Sequence, residues 1–371
     1  MPNKSKPPIY IGLTERHGIA QEYCQFAPEG YEYRFIDRSP HLSDKIVSSS
    51  AKGFYAFFDD PSVSIVEAPI FPVNTQKNWI YTPAEFTATA NFGIFGLPLP
   101  RSLRLLAVEN VLKKDNFKKL IFKSHAGLST LKKYAKNVDP IIVDKCEVIY
   151  PCVNITKVEK KFSEEQFNIL FVGDFFRKGG ANVVDVFEQL HSKYPHIRLN
   201  IIGNTQFDTT NTALANIYRN KIANHSAIVH KKVKRPELLT DIYPKADVLV
   251  SPTYQETFGF AILEGMAFGL PVISCSHFAI PEIIEDEQSG LLIETEQFEF
   301  ISQFKGYSIK NIPTDFHQYM NEQLYERLER LVTNHRLCKS LSNNALKQCH
   351  KKFSPQIRAN RMKSIYDEIM F

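Results

Sequence analysis

The second half of the chain alternates short apolar runs with helical segments, and this pattern restricts the fold more than any other feature. Residues 169–173 are apolar without interruption, which is typical of a strand buried on both faces. The residues that follow repeat apolar side chains at the period of a helix: Val183, Phe187, Leu190 and Tyr194. Further strands are predicted at 199–203, 227–229, 247–250, 271–275 and 290–293, and further helices at 214–224 and from Pro236. Such alternation through short loops predicts a doubly wound α/β fold with a parallel sheet.

In doubly wound sheets, ligands bind outside the carboxyl ends of the strands, and the most informative segment, residues 251–273, begins at such an end. Gly259 lets the backbone of its loop approach a ligand closely. A helix that begins near Phe260 directs unpaired N–H groups and the positive end of its dipole toward this loop, which favours phosphate. Glu256 precedes the helix, and Glu264 lies one turn into it. Their carboxylates are acceptors for sugar hydroxyls, and a ribose offers two adjacent ones.

Composition indicates an ordinary folded protein of two domains. The chain has 371 residues, of which 43% are hydrophobic and 23% charged. Its net charge of +5 is too small to indicate nucleic acid as a partner. We see neither an apolar leader nor a stretch of roughly 20 apolar residues that could span a membrane. The six cysteines have no metal-ligand spacing, so we expect reduced thiols, a cytoplasmic location and no metal site.

The first half is less regular. Strands are predicted near 9–12, 33–36, 64–66 and 148–150. The Pro- and aromatic-rich stretch 69–100 has no clear period, so we assign it no regular structure. Residues 101–136 have a helical character. The segment 156–166 is rich in Lys and Glu, and we interpret it as the linker between the domains.

Residues 251–273 resemble the signature of retaining glycosyltransferase family 4. This signature has two Glu separated by seven residues around a Gly-aromatic loop, followed by Gly-x-Pro-Val-Ile. Four further stretches resemble the family in the same order along the chain: 148–154, 171–180, 236–247 and 353–366. The resemblance implies the GT-B fold, in which two Rossmann-like doubly wound domains face a cleft. It places an acceptor-side domain at 1–155, a donor domain at 156–350, and a terminal helix at 351–371 that crosses back to the first domain.

The resemblance also implies a reaction, the transfer of a sugar from a nucleoside diphosphate sugar to a glycan or lipid-linked acceptor with retention of configuration. Lys178 would neutralise the donor diphosphate, and Glu256 would hold hydroxyls of the transferred sugar. Glu264 would bind the nucleotide ribose. The other donor contacts are implied for backbone or glycine positions: Gly173, Lys232, Val233, Thr257, Phe258, Gly259 and Phe260. Neither a metal nor another cofactor is expected.

Two departures from the family affect the donor phosphates. Asp174 stands where the family usually has Arg, and we expect the neighbouring Arg177 to supply the missing cation. The loop after the first strand lacks the usual Gly-Gly form. Within it, Gly12, Arg16 and His17 are candidates for contacts to donor or acceptor, although an ordinary surface loop fits these residues as well.

Two other functions stay open at this point. A sugar-nucleotide epimerase shares the GT-B architecture, but it needs acid and base residues in the cleft and no acceptor. A non-catalytic binder of sugar nucleotides or glycans is compatible with the missing arginine and the altered glycine loop. Analysis of the products separates a transferase from an epimerase.

Residues 101–136 carry ten basic side chains against only Glu109 and Asp115. Apolar residues such as Leu103, Leu106 and Val111 lie among them, as in helices that bind at a membrane surface. The alternatives are a peripheral contact with an anionic membrane, at its inner face, and a solvated basic face over an ordinary core helix. The basic residues are Arg101, Arg104, Lys113, Lys114, Lys118, Lys119, Lys123, Lys132, Lys133 and Lys136.

Overall fold

The chain divides into two compact units in the computed structural model. The first unit comprises Met1–Cys152 and Lys352–Phe371, and the second comprises Val153–Lys351. The structure describes residues 7–16, 18–38, 58–89, 93–94, 97–135, 137–156, 160–298 and 314–371.

A six-stranded parallel sheet forms the centre of the first unit, with the strand order β2-β1-β3-β4-β7-β8. Its strands are Ile9–Leu13 (β1), Tyr31–Phe35 (β2), Ile65–Ala68 (β3), Asn78–Tyr81 (β4), Phe117–Phe122 (β7) and Cys146–Val148 (β8), and a small hairpin joins Gly93–Ile94 (β5) to Leu97–Pro98 (β6). Among the described residues before 152, the helices are Gly18–Gln25 (α1), Phe86–Thr89 (α2), Arg101–Leu112 (α3), His125–Tyr134 (α4) and Pro140–Asp144 (α5). One apolar cluster of this unit contains Trp79, Phe117 and Phe122.

Strand β7 corrects the prediction that residues 101–136 are helical throughout. It lies between α3 and α4 and reads Phe-Lys-Lys-Leu-Ile-Phe. Lys118 and Lys119 interrupt its apolar pattern, which hides a strand whose last three residues are all buried. The stretch 69–100 also contains regular structure, namely β4, α2 and the small hairpin.

The basic residues of 101–136 therefore do not form one amphipathic helix. Lys123 is buried at the end of β7, and Lys113 forms an ion pair with Asp139 at 2.8 Å. Arg101 donates to the backbone carbonyl of Tyr134. Lys136 lies outside the described residues. Of the helices that the structure describes, none combines the length and the apolar content needed to cross a bilayer.

The second unit also contains a parallel sheet of six strands, in the order β11-β10-β9-β12-β13-β14. Counted within this unit, the order is 3-2-1-4-5-6, the arrangement of dinucleotide-binding folds. This confirms the prediction of a doubly wound α/β fold. The order of connection reverses between β9 and β12, so a crevice opens at their carboxyl ends. The strands are Phe167–Val172 (β9), Ile197–Ile202 (β10), Ile228–Lys231 (β11), Val248–Ser251 (β12), Val272–Cys275 (β13) and Leu291–Ile293 (β14).

Helices flank this second sheet. The stripe predicted on the first of them is buried at Val183, Phe187 and Leu190, which join the main apolar cluster of the unit. The helices in the described part of this unit are Gly180–Lys193 (α6), Thr212–Asn224 (α7), Arg235–Glu237 (α8), Phe260–Ala267 (α9), Ile280–Ile283 (α10), Thr314–Thr333 (α11) and His335–Lys352 (α12). Helix α8 continues through a π-helical turn at Leu238–Ile242 and a 3-10 turn at Tyr243–Lys245.

Helix Pro355–Met370 (α13) packs on the first sheet. Met362, Ile365 and Tyr366 join an apolar cluster with strand residues such as Ile11. The Arg358 guanidinium lies 3.3 Å from a carboxylate oxygen of Glu67 in β3, and both side chains are almost completely buried. The Tyr366 hydroxyl donates to the other oxygen of Glu67 at 2.6 Å.

The segment 156–166 is not a free linker. Lys160 is buried, and its ammonium donates to the backbone carbonyls of Tyr243, Pro244 and Ala246 at 2.7–2.9 Å. The Thr156 N–H donates to the Ala267 carbonyl. These bonds attach Thr156 and Lys160 to the second unit, while residues 161 and 163–166 are exposed.

Candidate active site

The loops after β9 and β12 bring together two of the residues singled out in the sequence. The Lys178 ammonium lies 2.5 Å from Glu256 Oε2 and 3.2 Å from the Gln255 carbonyl oxygen. Both charged side chains are largely buried, with 13% and 14% of their surfaces exposed. The pair therefore lies at the carboxyl ends of the two strands between which the strand order reverses.

Glycines make this approach of the two loops possible. Gly173 and Gly179 have φ values of +135° and +80°, which favour glycine. A Cβ on Gly179 would overlap the carbonyl oxygen of Pro252 in the opposite loop, and a Cβ on Gly173 would contact the Lys178 side chain. The backbone at Gly179 thus allows α6 to begin directly beside the β12 loop.

The Glu256 carboxylate is surrounded by donors. The Thr257 N–H donates to its Oε1 at 2.9 Å, and the Lys178 ammonium contacts its Oε2. Burial alone would raise the pKa of this carboxyl, but Lys178 and the backbone N–H groups of Thr257 and Phe258 outweigh burial and hold the pKa below its ordinary value. Glu256 is therefore an anion at neutral pH, next to an ammonium and the start of α9.

The start of α9 has the geometry expected for the signature loop. Gly259 is the N-cap residue with a φ of +111°, and Phe260 is the first helical residue. Phe258 is completely buried, and its ring packs against Phe260 at a centroid distance of 5.0 Å. The helix ends at Ala267, and Gly269 directly after the C-cap residue has a φ of +70° and donates its N–H to the Met266 carbonyl.

Glu264 lies one turn into α9 and is buried. Its Oε1 accepts from Arg235, and its Oε2 accepts from the Tyr243 hydroxyl at 3.0 Å. Tyr243 is completely buried and stacks on Phe268. Val233 lies in the loop between β11 and α8, partly exposed, and the neighbouring Lys232 is exposed. The carboxylate is thus fixed in orientation by an arginine and a tyrosine that the sequence analysis did not assign.

We expected Arg177 to supply the missing cation beside Lys178. In the structure its side chain instead forms an ion pair with Asp174. Its guanidinium donates to the Asp174 carboxylate through both Nε and Nη2. Its backbone N–H donates to Asp208, and its carbonyl accepts from the Tyr254 N–H. In this structure Arg177 neutralises Asp174, the residue that replaces the usual arginine of the family.

The structure describes two of the three candidate residues in the first unit, Gly12 and Arg16. Gly12 lies inside β1 and pairs with strands on both sides, so it is not in the loop that follows. A Cβ there would collide with Ile36, which explains the glycine by packing. Arg16 forms an exposed ion pair with Asp37 at 2.9 Å. His17 lies outside the described residues.

Sequence analysis missed His277, which follows β13 and is buried. Burial lowers its pKa to about 4, while the charges of Glu256 and Lys178 act on it in opposite directions. The residue is therefore neutral at neutral pH and lies within electrostatic range of the pair. A single histidine without a motif around it gave no signal in the sequence.

The described residues contain no group of three or more His, Cys, Asp or Glu side chains arranged to hold a metal ion. Metal independence itself stays a prediction. The chemistry that the arrangement can perform is electrostatic, because an ammonium, backbone N–H groups and a helix N-terminus converge on one point.

Comparison with known proteins identifies the region that carries this geometry. Residues 166–304 match the family described as "Glycosyl transferases group 1". This segment is similar to the group 1 glycosyltransferases. It includes Lys178, Glu256 and Glu264, so every predicted side-chain contact to the donor in the second unit lies within the family match.

Curated proteins that are similar to this chain include bacterial and archaeal ones. The chain is 30% identical over 167 residues to an uncharacterized 41.2 kDa protein of the cps region of Klebsiella pneumoniae, covering 41% of this chain and 42% of that protein. It is 24% identical to the capsular polysaccharide biosynthesis glycosyltransferase CapM of Staphylococcus aureus, covering 58% and 50%. The chain thus spans about half the length of these two relatives.

Solved structures extend the likeness in fold to both units. Sucrose-phosphate synthase from Thermosynechococcus elongatus is 15% identical with a TM-score of 0.64, covering 98% of this chain and 99% of that chain. HepE from Anabaena, solved in complex with UDP and glucose, is 12% identical with a TM-score of 0.63, covering 97% and 100%. These likenesses confirm the GT-B fold with two Rossmann-like domains.

Proposed function

We propose that this protein is a glycosyltransferase that moves a sugar from a nucleoside diphosphate sugar to a hydroxyl group of a glycan or lipid-linked acceptor. The observation that carries the proposal is the meeting of Lys178, Glu256 and the N-terminus of α9 at the carboxyl ends of β9 and β12. The group 1 glycosyltransferase match over the same residues supports it.

In the proposed reaction the bond between the anomeric carbon and the diphosphate oxygen breaks, and a bond from the acceptor oxygen to that carbon forms. The departing nucleoside diphosphate keeps the bonding electrons and gains negative charge. Lys178 and the N–H groups at the start of α9 stabilise this charge. The acceptor hydroxyl passes its proton to a phosphate oxygen of the departing nucleoside diphosphate.

The two glutamates serve different parts of the donor in this proposal. Glu256 accepts hydrogen bonds from hydroxyls of the transferred sugar, because its carboxylate lies next to the ammonium that holds the diphosphate. Glu264 accepts from the ribose hydroxyls through lone pairs that Arg235 and Tyr243 leave open. His277, buried and neutral, adds a polar group on the same side of the sheet.

Binding of a nucleoside diphosphate to a Lys178→Ala variant tests the proposed function. We expect binding to weaken at least ~10-fold, about 1.4 kcal/mol, because the variant lacks the ammonium that would contact the diphosphate. Lys193→Ala is the matched control, since Lys193 also forms an ion pair in the second unit, with Glu329 at 2.9 Å on an exposed surface. Calorimetric titration with a panel of nucleoside diphosphates measures both variants. Equal affinities in the two variants would contradict the assignment of the donor site.

We further propose that the transfer retains the configuration of the anomeric carbon, as the signature of the second unit suggests. With retention, the acceptor approaches the same face of the transferred sugar that the diphosphate leaves. Lys178 can then stabilise both the acceptor and the diphosphate. NMR of the first product formed from an α-configured donor decides this point. An α-linked product supports retention, and a β-linked product contradicts it.

We also propose a peripheral contact of the first unit with an anionic membrane. Leu97, Leu103 and Leu106 are more than half exposed on or near α3, beside Arg104. Vesicle sedimentation with and without anionic lipid tests the contact, with Leu103→Ser/Leu106→Ser as the variant and Ile217→Ser, an equally exposed residue of the second unit, as the control. Binding that ignores anionic lipid or survives the double substitution would refute it.

A further inference from the structure

Tyr254 connects the Glu256 loop to two helices of the second unit. Its side chain is buried, with 2% of its surface exposed. Its hydroxyl lies 2.5 Å from Asn182 Oδ1 and 2.9 Å from His317 Nδ1. Asn182 belongs to the first turn of α6, and His317 to the first turn of α11. One hydroxyl group thus joins three segments of the chain.

Asn182 has no exposed surface and uses its amide fully. Its Oδ1 accepts from the Tyr254 hydroxyl, and its Nδ2 donates to Asn321 Oδ1 at 2.7 Å and to the His317 carbonyl at 3.2 Å. The Tyr254 oxygen also lies 2.9 Å from His317 Nδ1, and the other ring nitrogen of His317 lies 3.7 Å from the Asp185 carboxylate.

This bonding fixes the backbone just before Glu256. The Tyr254 N–H donates to the Arg177 carbonyl at 3.1 Å, so the tyrosine also ties the loop to the one that carries Lys178. Two residues of extended chain reach at most about 7 Å, so a shift of Tyr254 moves Glu256 directly. Lys178, in contrast, takes its position from the loop before α6 and packs over Gly173.

We propose that Tyr254 is a positioning residue for Glu256, acting through its bonds to Asn182 and His317. The inference rests on the proposed function, because Glu256 is assigned there to the transferred sugar. Without the hydroxyl, Asn182 Oδ1 and His317 Nδ1 lose their common partner in a buried space, which is costly. The loop then adopts other positions, and Glu256 no longer meets the sugar at the distance that the transition state requires.

Steady-state kinetics of Tyr254→Phe test this role. We expect kcat to fall about 10-fold, while the Kd for a free nucleoside diphosphate stays within about twofold, because the diphosphate is held by Lys178. A variant that is only less stable would not lose kcat while keeping its Kd for the nucleoside diphosphate, provided that both are measured well below the unfolding temperature.

Tyr194→Phe is the control. Tyr194 follows the last residue of α6 and is partly buried, and its hydroxyl donates to Glu329 at 3.1 Å. This bond lies at the opposite end of α6 from Asn182, so the control loses a hydroxyl bond of the second unit and should keep its kcat. A kcat for Tyr254→Phe equal to that of the wild type, or a fall in Tyr194→Phe of the same size, would overturn the inference.

A second pair of variants covers the case in which Tyr254→Phe does not fold. His317 is 36% exposed, so His317→Ala carries less risk for folding. It should lower kcat in the same direction, and His317→Asn should restore it, because an asparagine amide can present either a donor or an acceptor near the place of Nδ1. Equal kcat values in His317→Ala and the wild type would contradict the positioning role.

The Lys178→Ala measurement separates this inference from the proposed function. If Lys178→Ala loses nucleotide binding and the Tyr254 and His317 variants keep full kcat, only the positioning role is wrong. If Lys178→Ala binds nucleotides as tightly as the wild type, the proposed function itself is wrong.

Discussion

Lys178 and Glu256 neutralise each other in the structure. The carboxylate takes the ammonium and two backbone N–H groups, the same donors that a diphosphate would use. A phosphate group therefore competes with Glu256 for these donors when it enters the site. This competition gives the charge of Glu256 opposite effects on nucleotide binding and on sugar transfer.

Glu256→Gln separates the two effects. We expect turnover to fall at least ~10-fold, because a neutral amide accepts more weakly from the sugar hydroxyls. The affinity for a free nucleoside diphosphate should not fall, since Lys178 is left with an uncompensated charge. Kinetics and calorimetric titration of the same preparation provide the comparison. An equal loss of turnover and of nucleotide affinity would contradict this division of roles.

The Arg177–Asp174 pair makes a second prediction at the level of single residues. Arg177→Ala leaves the Asp174 carboxylate without its partner near the expected diphosphate, so donor binding and activity should fall. Installing Arg at position 174 in this background should restore activity, since the site then regains the cation usual in the family. Both variants are compared by kcat/KM, and a silent Arg177→Ala would show that the pair has no role in donor binding.

At the level of elements, the junction between the β9 loop and α6 depends on Gly179. This residue combines a φ of +80° with a site where any Cβ would overlap the Pro252 carbonyl. Gly30 has a similar φ of +84°, but no atom lies within 4 Å of a Cβ there. A comparison of substitutions at the two glycines therefore separates the effect of backbone strain from the effect of a close contact.

Gly179→Ala should reduce stability clearly more than Gly30→Ala. Gly30→Ala carries only the cost of a left-handed conformation, roughly 1–2 kcal/mol. Gly179→Ala adds a backbone collision that either α6 or the β12 loop must relieve by moving, so nucleotide binding should weaken as well. Urea denaturation of both variants measures the difference, and equal free energies of unfolding would mean that the junction adapts without cost.

The strands of the second unit could be predicted because burial on both faces leaves almost continuous apolar sequence, as in β9 and β12. β7 was missed because its two lysines break that pattern. Glu256, Glu264 and Lys178 could be assigned from local spacing and resemblance. Tyr254 and Asn182 could not, since 72 residues separate them and only the folded sheet brings them together.

At the level of the whole molecule, the second unit is one continuous stretch, whereas the first is assembled from two. Helix α13 supplies both apolar side chains and a charge to the first sheet. Because Arg358 and Glu67 are buried together, each depends on the other for its partner. The first unit is therefore incomplete without residues 355–370.

Arg358→Ala should destabilise the first unit by about 3–5 kcal/mol, since it leaves the buried Glu67 carboxylate without its charged partner. Arg361→Ala provides the matched control on the same helix, because Arg361 forms its ion pair with Glu147 at the surface and is 48% exposed. Its loss should cost at most about 1 kcal/mol. Denaturant unfolding measures both variants, and similar losses would mean that the buried pair contributes no more than the exposed one.

The return of α13 to the first sheet also has a consequence for biosynthesis. About 200 residues of the second unit are translated between Cys152 and Lys352. At about 5–20 residues per second, a nascent first sheet waits roughly 10–40 s for its last helix. During that time the face with Ile11, Ile65 and Glu67 is uncovered on the ribosome, and it is the surface that a chaperone would be expected to protect.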